Sequence, residues 1–487
     1  MLLAKDIPPA PGCEPDTSST QISPDSIPVH PMGVKPLGNQ YLASVPAARR
    51  SLGPLGLLPD ETILQVLEYF DALSLKNIGR TCRFLYAFCQ LDELWKALFL
   101  KTSSQPPPAW RGSWRSTYLN APGGRRPGVD CTNVYSDVLH RPFACAHIDL
   151  SKYSSGIPDV NQIRRFERLG YDDFAQNWSS VPFILTDCIQ RWPVYGDWNI
   201  DELNRRYSKA EFRAEAVDWP FSTYHEYIYN NDDESPLYLF DRWFAEKMNI
   251  RIGHDTDAVY WPPECFGPDL FEVLGEERPA HRWLIIGPQR SGSTFHKDPN
   301  ATSAWNAVLE GSKYWIMFPP AAQVPGVYVS ADSSEVTSPL SIAEWLLEFH
   351  AEARALPGCV EGVCKAGEIV HVPSGWWHLV VNLEAGVALT QNFVPRSHLA
   401  DVLSFLRDKP DQVTGFKRDI ECPYDLFVER LGVQHPELLD GAFHELEQRK
   451  QTKKRKWEEA VGGNADAGYD SGGFSFGFGA DDDDKIP

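Results

Sequence analysis

The first sustained order in the apolar pattern is Ile63, Val66, Leu67 and Phe70, an i, i+3, i+4, i+7 series that lays one stripe along a helix. Pro59, Asp60 and Glu61 stand where a helix start favours a preset φ and negative charge. Asp71-Ala72-Leu73-Ser74 interrupts the series. A second helix carrying Leu75, Ile78, Cys82 and Leu85 is predicted after it, and Leu94-Trp95-Lys96-Ala97-Leu98-Phe99 completes a helical unit over residues 55–100. Residues 101–145 read as a connector. Over residues 146–395 the pattern shortens to β-rich runs between Gly and Pro, at 181–185, 237–240, 283–287, 314–318, 368–372 and 387–392. Runs of that length between turn signals predict a sandwich or a barrel. Residues 396–457 return to the helical period, with Leu399, Val402, Leu403 and Leu406 on one face. Residues 1–54, rich in Pro, Ser and Gly, and residues 458–487, which run through Phe-Ser-Phe-Gly-Phe-Gly to Asp481–Asp484, are predicted to be disordered. Neither carries enough apolar surface to offset chain entropy.

Composition narrows the classes. With 487 residues, 16 Trp, 18 Tyr and 25 Phe, the chain can build a sizeable core, and its net charge of −20 excludes a basic nucleic-acid-coating protein. No direct nucleic-acid binding is expected, and the acidity fits a Lys/Arg-rich protein partner. No uncharged run approaches the roughly 18 residues needed to cross a bilayer, so no membrane role is expected and the chain reads as soluble and intracellular. The ten cysteines contain no C-x-x-C pair, and Cys359 and Cys364, the nearest approach to one, read as buried free thiols.

The chemistry-bearing stretch is Ser293-Thr294-Phe295-His296-Lys297-Asp298. On a strand, positions two apart face the same way, so His296 and Asp298 offer a neutral nitrogen and an anionic oxygen to one point. The pattern is cheap, since His147-Ile148-Asp149 and His435-Pro436-Glu437 repeat it, but those two sit beside a Ser/Gly/Pro turn and at a helix start and read as surface or packing residues. After the 296 pair, two apolar runs joined by Glu310-Gly311-Ser312-Lys313 would return Lys313 toward the same cavity. Val372-Pro373-Ser374-Gly375-Trp376-Trp377-His378 supplies a third ligand. Two His and one carboxylate leave octahedral positions open, as Fe(II) needs when a co-substrate and O2 must both bind. Taken alone, His378 is a core histidine behind two tryptophans and Lys313 a strand-end lysine. Trp376 and Trp377 themselves read as core.

Two resemblances follow from these residues. Leu57-Leu58-Pro59-Asp60-Glu61, Ile63-Leu64, Leu67, Phe70, Leu75, Arg80-Thr81-Cys82-Arg83 and Leu94-Trp95 resemble an F-box. That resemblance implies docking on a Skp-type adaptor of a cullin ubiquitin ligase through an exposed apolar face at Leu57, Pro59 and Ile63. A helical cap packed on the next domain is the plainer reading. Asp233-Glu234-Ser235-Pro236-Leu237-Tyr238-Leu239-Phe240-Asp241, Gly287-Pro288-Gln289-Arg290-Ser291-Gly292, His296 with Asp298, Thr302-Ser303-Ala304-Trp305-Asn306-Ala307, Lys313, Pro373–His378 and Thr390-Gln391-Asn392-Phe393 resemble the JmjC family, and more closely its phosphatidylserine-receptor-like branch.

The JmjC resemblance implies an α+β protein whose double-stranded β-helix, a jelly-roll of cupin type, lies between the helical F-box and a helical C-terminal appendage. It implies that His296, Asp298 and His378 hold Fe(II), that Lys313 and Thr390 bind the far carboxylate of 2-oxoglutarate, and that Asn306 meets the near one. Tyr238 lies beside the cosubstrate and Asn392 supports it. Where the family has Thr three residues before the first metal His, this chain has Ser293, which keeps a hydroxyl and loses a methyl group. With O2, such a centre oxidises a C–H bond: a side-chain carbon keeps the hydroxyl, whereas an N-methyl group leaves as formaldehyde. Protein hydroxylation, with a lysyl side chain among the targets, is the expected activity, and demethylation shares its chemistry. Two other readings are an F-box substrate receptor that uses the barrel only for recognition, and a cupin metal protein without 2-oxoglutarate. Arg449-Lys450-Gln451-Thr452-Lys453-Lys454-Arg455-Lys456 reads as a nuclear import signal or as a solvated helix end, and a nuclear protein, with a share in the cytoplasm, is expected.

Overall fold

The computed structural model describes residues 27–103, 105–123, 128–330, 336–338 and 340–462. Fifteen strands are described: β1 (Arg164–Phe166), β2 (Phe183–Leu185), β3 (Glu211–Ala214), β4 (Val217–Pro220), β5 (Leu239–Asp241), β6 (Arg282–Gly287), β7 (Gly292–His296), β8 (Ser303–Glu310), β9 (Ser312–Phe318), β10 (Tyr328–Val329), β11 (Val336–Thr337), β12 (Val360–Lys365), β13 (Ile369–Val372), β14 (Trp377–Asn382) and β15 (Gly386–Phe393). Nine form one sheet in the order β1-β2-β13-β8-β15-β6-β5-β3-β4, four form a second in the order β12-β9-β14-β7, and β10 pairs with β11. All six apolar runs contribute strands.

Alternation of side chains explains how the two sheets face each other. On β9, Trp315 and Met317 point into the space between the sheets, where they meet Ala304, Val308, Val370, Val372 and Val380. Their neighbours Tyr314, Ile316 and Phe318 face outward against Trp345, Leu346 and Ala353. The outer face of the larger sheet, through Trp305, Ala307, Leu309, Val387 and Leu389, joins a core that continues into the N-terminal helices. Fold class is therefore α+β with a two-sheet jelly-roll at the centre.

The helical unit comprises α1 (Asp60–Glu68), α2 (Ala72–Ile78), α3 (Arg83–Cys89) and α4 (Asp92–Thr102). The single helix expected from Leu75 to Leu85 is two, because Cys82 adopts an extended conformation as the N-cap of α3. Leu75, Phe84, Phe88, Trp95 and Phe99 are buried in the same continuous core as Trp219 and Tyr224 of the β region. A second correction concerns Ile63: it is 6% exposed and belongs to that core, whereas Leu57 is 88% exposed and Pro59 is exposed as well. Ile63 cannot be part of an open docking face. Val66, Tyr69 and Leu73 are the exposed apolar side chains of α1 and its neighbours.

The flanking regions also differ from expectation. Residues 27–54 have too few apolar groups for a core of their own, yet they pack by lending Val34, Ala48 and Leu52 to the helical unit. Arg49 fastens them, donating to the Gly56 carbonyl at 2.9 Å and also to the Asp60 carboxylate and the Leu58 carbonyl. Residues 1–26 lie outside the described residues. The supposed connector contains α5 (Trp114–Tyr118) and α6 (Asp137–Cys145), and its Trp110 and Trp114 pack edge-on and tilted against Trp219 and Tyr227. Indole rings in a stretch without a β or helical period gave no patterned signal. The C-terminal helices Leu399–Asp408, Pro423–Gln434 and Pro436–Gly462 bury Leu399, Val402, Leu403 and Leu406 in a separate cluster. The last helix runs five residues past 457, and the acidic remainder from 463 lies outside the described residues.

Core and surface positions separate by stability: Ile63→Ala should cost about 2–4 kcal/mol in urea unfolding of the full chain, while Leu57→Ala should stay within about 0.5 kcal/mol. Equal effects would contradict this division.

Candidate metal centre

β14 lies antiparallel to β7 in a register that sets His378 opposite His296. The two strands run so close that a Cβ at Gly292 would meet the Val380 carbonyl at 2.0 Å, so only glycine fits there. Both imidazoles face the space between the sheets, with ring centroids 4.1 Å apart. Asp298 follows β7 in extended backbone, which continues the two-residue alternation past the strand end. The nitrogen and oxygen atoms that His296, Asp298 and His378 can offer lie within 4.8 Å of one another, the one such group among the described residues.

Local hydrogen bonds aim these atoms. The Nδ1 of His296 lies 2.8 Å from the Thr294 carbonyl, and that of His378 lies 3.1 Å from the Trp376 carbonyl. A carbonyl only accepts, so each Nδ1 carries the proton and each Nε2 keeps a lone pair for the site. Burial, reinforced by the neighbouring His296, holds His378 well below the usual histidine range, which keeps that lone pair available at neutral pH. Asp298 is pushed up chiefly by burial, against the opposing pull of His296 and a hydrogen bond from Asn392, and its Oδ2 has no partner. A buried carboxylate oxygen left unsatisfied between two imidazole lone pairs fits a divalent cation.

The loop after Asp298 is fastened on both sides. Asn392 Nδ2 donates to Thr302 Oγ1 at 2.8 Å, and Asn300 and Thr414 exchange bonds of 2.9 and 3.0 Å. Ser374 in the turn before His378 donates to the Ala301 carbonyl at 2.6 Å. Gly375, at φ +73°, makes that turn possible.

Beside the triad is a cavity of about 60 Å³ lined by Tyr238, Ser293, Asn306, Thr390 and Asn392 together with His296, Asp298 and His378. Thr390 stands opposite Asn306 across β15 and β8. Its hydroxyl donates to the Trp305 carbonyl at 2.8 Å, while Asn306 Oδ1 has no partner. Lys313 enters from β9, opposite Asn382, and donates to Tyr238 Oη at 2.5 Å. It is 2% exposed, and among the described residues no carboxylate pairs with it. Burial pushes its ammonium down to about 7 and the Tyr238 phenol up. A lysine sequestered without a counter-charge is complementary to an anionic ligand.

His296, Asp298, His378, Tyr238, Ser293, Asn306, Thr390 and Asn392 thus line one cavity, and Lys313 stands behind its wall on the Tyr238 hydroxyl. His147 and Asp149, like His435 and Glu437, are exposed and distant from it in the fold. Asn382 was not singled out from the sequence, although it donates to Ser291 Oγ at 2.8 Å and to Tyr238. The inward series His378, Val380, Asn382 on β14 carried that signal.

Comparison with known proteins bears on both halves. The Cupin-like domain family matches residues 213–398 and the F-box-like family residues 55–101. The chain is similar to the Arginine-specific demethylase JMJ22 of Arabidopsis thaliana, with 37% identity over 458 residues, covering 91% of this chain and 88% of the relative. It is 33% identical to the Bifunctional arginine demethylase and lysyl-hydroxylase psr-1 of Caenorhabditis elegans over 299 residues, 58% of this chain and 71% of the relative. It is 28% identical to the 2-oxoglutarate and iron-dependent oxygenase JMJD4 of Danio rerio over 313 residues, covering 60% and 67% of the two chains.

Lys313 leaves a thermodynamic signature. Unfolded, it titrates near its ordinary 10.5 and folded near 7, so between those values the unfolded chain binds more protons and stability falls as pH drops, the loss being complete below about 7. Lys313→Met should therefore raise the melting temperature of the ligand-free protein at pH 7, with the gain shrinking as pH approaches 10. A variant that melts lower at pH 7 would overturn this account.

Proposed function

The chain belongs to the cupin-like JmjC oxygenases that depend on iron and 2-oxoglutarate, and from that premise we propose that it oxidises a C–H bond on a basic side chain of a protein, by hydroxylation. The observation that carries the reading is an open His-Asp-His triad on a cavity whose Tyr238 wall is backed by a buried lysine without a carboxylate partner among the described residues. Bound iron with 2-oxoglutarate and O2 supplies the oxidising chemistry.

The protein's own part is to bind, orient and exclude water. His296 and His378 present Nε2 because their Nδ1 protons are committed to backbone carbonyls, and Asp298 provides the anionic third ligand. Lys313 receives the far carboxylate of 2-oxoglutarate in a charge-assisted hydrogen bond, which the low local dielectric strengthens. Thr390, whose hydroxyl donates to the Trp305 carbonyl at 2.8 Å, would be the second group to hold that carboxylate. Asn306 meets the near carboxylate, Tyr238 flanks the ligand and orients Lys313, Ser293 offers a hydroxyl on the wall, and Asn392 steadies Asp298.

Whether the oxidised carbon is a methylene or an N-methyl group decides between a stable alcohol and loss of formaldehyde. The names of JMJ22 and psr-1 support a basic target side chain under either outcome. The F-box-like unit supports a second role, docking of a Skp-type adaptor on the exposed Leu57 and Pro59 and so attachment to a cullin ligase. The basic run from Lys450 supports nuclear import. Arg449 is engaged by Asp401 and Glu445, each at 2.6 Å, and is left out of the signal.

Purified protein with iron, ascorbate and 2-oxoglutarate should release succinate well above a His296→Ala control, and equal release would remove the catalytic reading in favour of a pure substrate receptor. Lys313→Met should weaken 2-oxoglutarate at least about tenfold, and unchanged affinity would favour a cupin that does not use it. Mass spectrometry of treated basic proteins should show a gain of about 16 mass units for hydroxylation, and a loss of about 14 would assign demethylation. Leu57→Asp should abolish adaptor pull-down without altering melting, and retained binding would sever the ligase link.

A further inference from the structure

Next to the metal cavity lies a larger cleft of about 410 Å³, whose wall shares Ser293 and His296 with it and whose other side carries Glu215, Glu234 and Arg290. Shared residues make it the approach to the triad from solvent. The charged groups facing it differ in how far they are already engaged. Glu234 is occupied by Arg141 at 3.1 Å and Ser341 Oγ at 2.6 Å, and Arg141 also holds Glu344 at 2.6 Å. Arg290 is tied to the Asp233 carbonyl by a long bond of 3.4 Å.

Glu215 is different. It stands at the two-residue turn between β3 and β4, where Ala214 pairs with Val217, and it is exposed. One carboxylate oxygen accepts the Tyr238 backbone N–H at 3.2 Å, which places Glu215 directly behind the residue that orients Lys313. Among the described residues no Lys, Arg or His forms an ion pair with it. Lys96, on the neighbouring helix, stands 4.0 Å from Asp233 and over the Trp114 ring, and acts on Glu215 only through its field. Although the residue as a whole is exposed, partial desolvation of its carboxyl end against the cleft wall raises Glu215 above the ordinary carboxylate range, while the charge of Lys96 and the Tyr238 N–H oppose the shift. Its backbone φ of +49° lies in the left-handed region that a glutamate adopts under strain and a glycine adopts freely.

We propose that Glu215 is the specificity-determining residue of the cleft, pairing with the cationic end of the target side chain so that its carbon chain extends past Ser293 to the triad. This rests on the reading of the adjoining centre as catalytic. It assigns the preference for a basic side chain chiefly to one carboxylate, because Glu234 is already held by Ser341 and by Arg141, which it shares with Glu344.

The test uses the full chain and short fluorescent Gly/Ser peptides that differ at one central residue: Arg, Lys, norleucine or Glu. Binding is followed by anisotropy without added metal, so the result does not depend on turnover. The wild-type chain should bind Arg and Lys peptides about tenfold more tightly than norleucine, and Glu215→Gln should erase that difference. Glu215→Gly removes the carboxylate while relieving the left-handed strain, so it should lose the same discrimination and melt no lower than wild type. Glu215→Lys should turn the preference toward the Glu peptide. Discrimination that survives in Glu215→Gln and Glu215→Gly, a wild-type chain without preference for the cationic peptides, or a wild-type preference for the Glu peptide, which would point to Arg290, each overturns the proposal. Failure of the parent reading shows separately, as absence of 2-oxoglutarate binding by the wild-type protein with Mn(II).

Discussion

The antiparallel register that seats β14 between β7 and β9 is the constraint on which the site depends. It sets His378 against His296 on one side and Lys313 against Asn382 on the other, so a single strand aligns two residues of the triad with the buried lysine. A one-residue slip would turn His378 into the outer cluster now occupied by Trp377 and Leu379, and the triad would be lost. Register here is specified by hydrophobic contrast: Trp377, Leu379 and Val381 pack outward against Phe295 and Trp345, which leaves His378, Val380 and Asn382 no alternative to the interior.

That interior is an unfavourable place for polar groups, and the unfavourable terms are informative. Asp298 Oδ2 and Asn306 Oδ1 have no hydrogen-bond partner, and Lys313 has a phenol in place of a carboxylate. Each unsatisfied buried group costs on the order of 1–3 kcal/mol, more when charged, and a fold selected for stability alone would have neutralised them. At and beside one small cavity, between sheets otherwise filled by Val, Ala, Trp and Met, the Asp298 oxygen and the Lys313 ammonium leave the ligand-free protein a deficit that a cation and a dicarboxylate would relieve.

Much of this was legible in the sequence because it rides on a period of two. Runs such as Tyr314–Phe318 and Val387–Asn392 announce strands, and the same alternation carries Lys313, Thr390 and Asn392 to one face. What the sequence did not disclose lies where a period is silent about neighbours, or where none operates. Ile63 stands in a helical stripe with Val66, and a stripe says that a face is apolar without saying which neighbour covers it; Ile63 is covered and Val66 is not. Residues 27–54 have the composition of a free chain and are held by Arg49 and three borrowed apolar contacts. Glu215 belongs to a tight turn, and only the fold brings that turn beside the Tyr238 backbone.

The helical unit and the oxygenase domain share one core, and this changes what an F-box-like segment can do here. Trp114 Nε1 and Tyr227 Oη both donate to Asp233 Oδ2, at 2.8 and 2.7 Å, joining α5 to the segment that lines the cleft. Asp92 at the start of α4 accepts the backbone N–H groups of Trp114 and Arg115 at 2.7 and 2.8 Å. With Trp110, Trp114 and Trp219 packed edge-on and tilted between them, the two units are joined through a continuous aromatic core. A flexible tether would let a docked partner sample many positions, whereas a shared aromatic core fixes the Leu57 face relative to the cleft. Anything held at that face stands at a set distance and angle from the residue being oxidised, so the geometry of docking and the choice of target are coupled through packing alone.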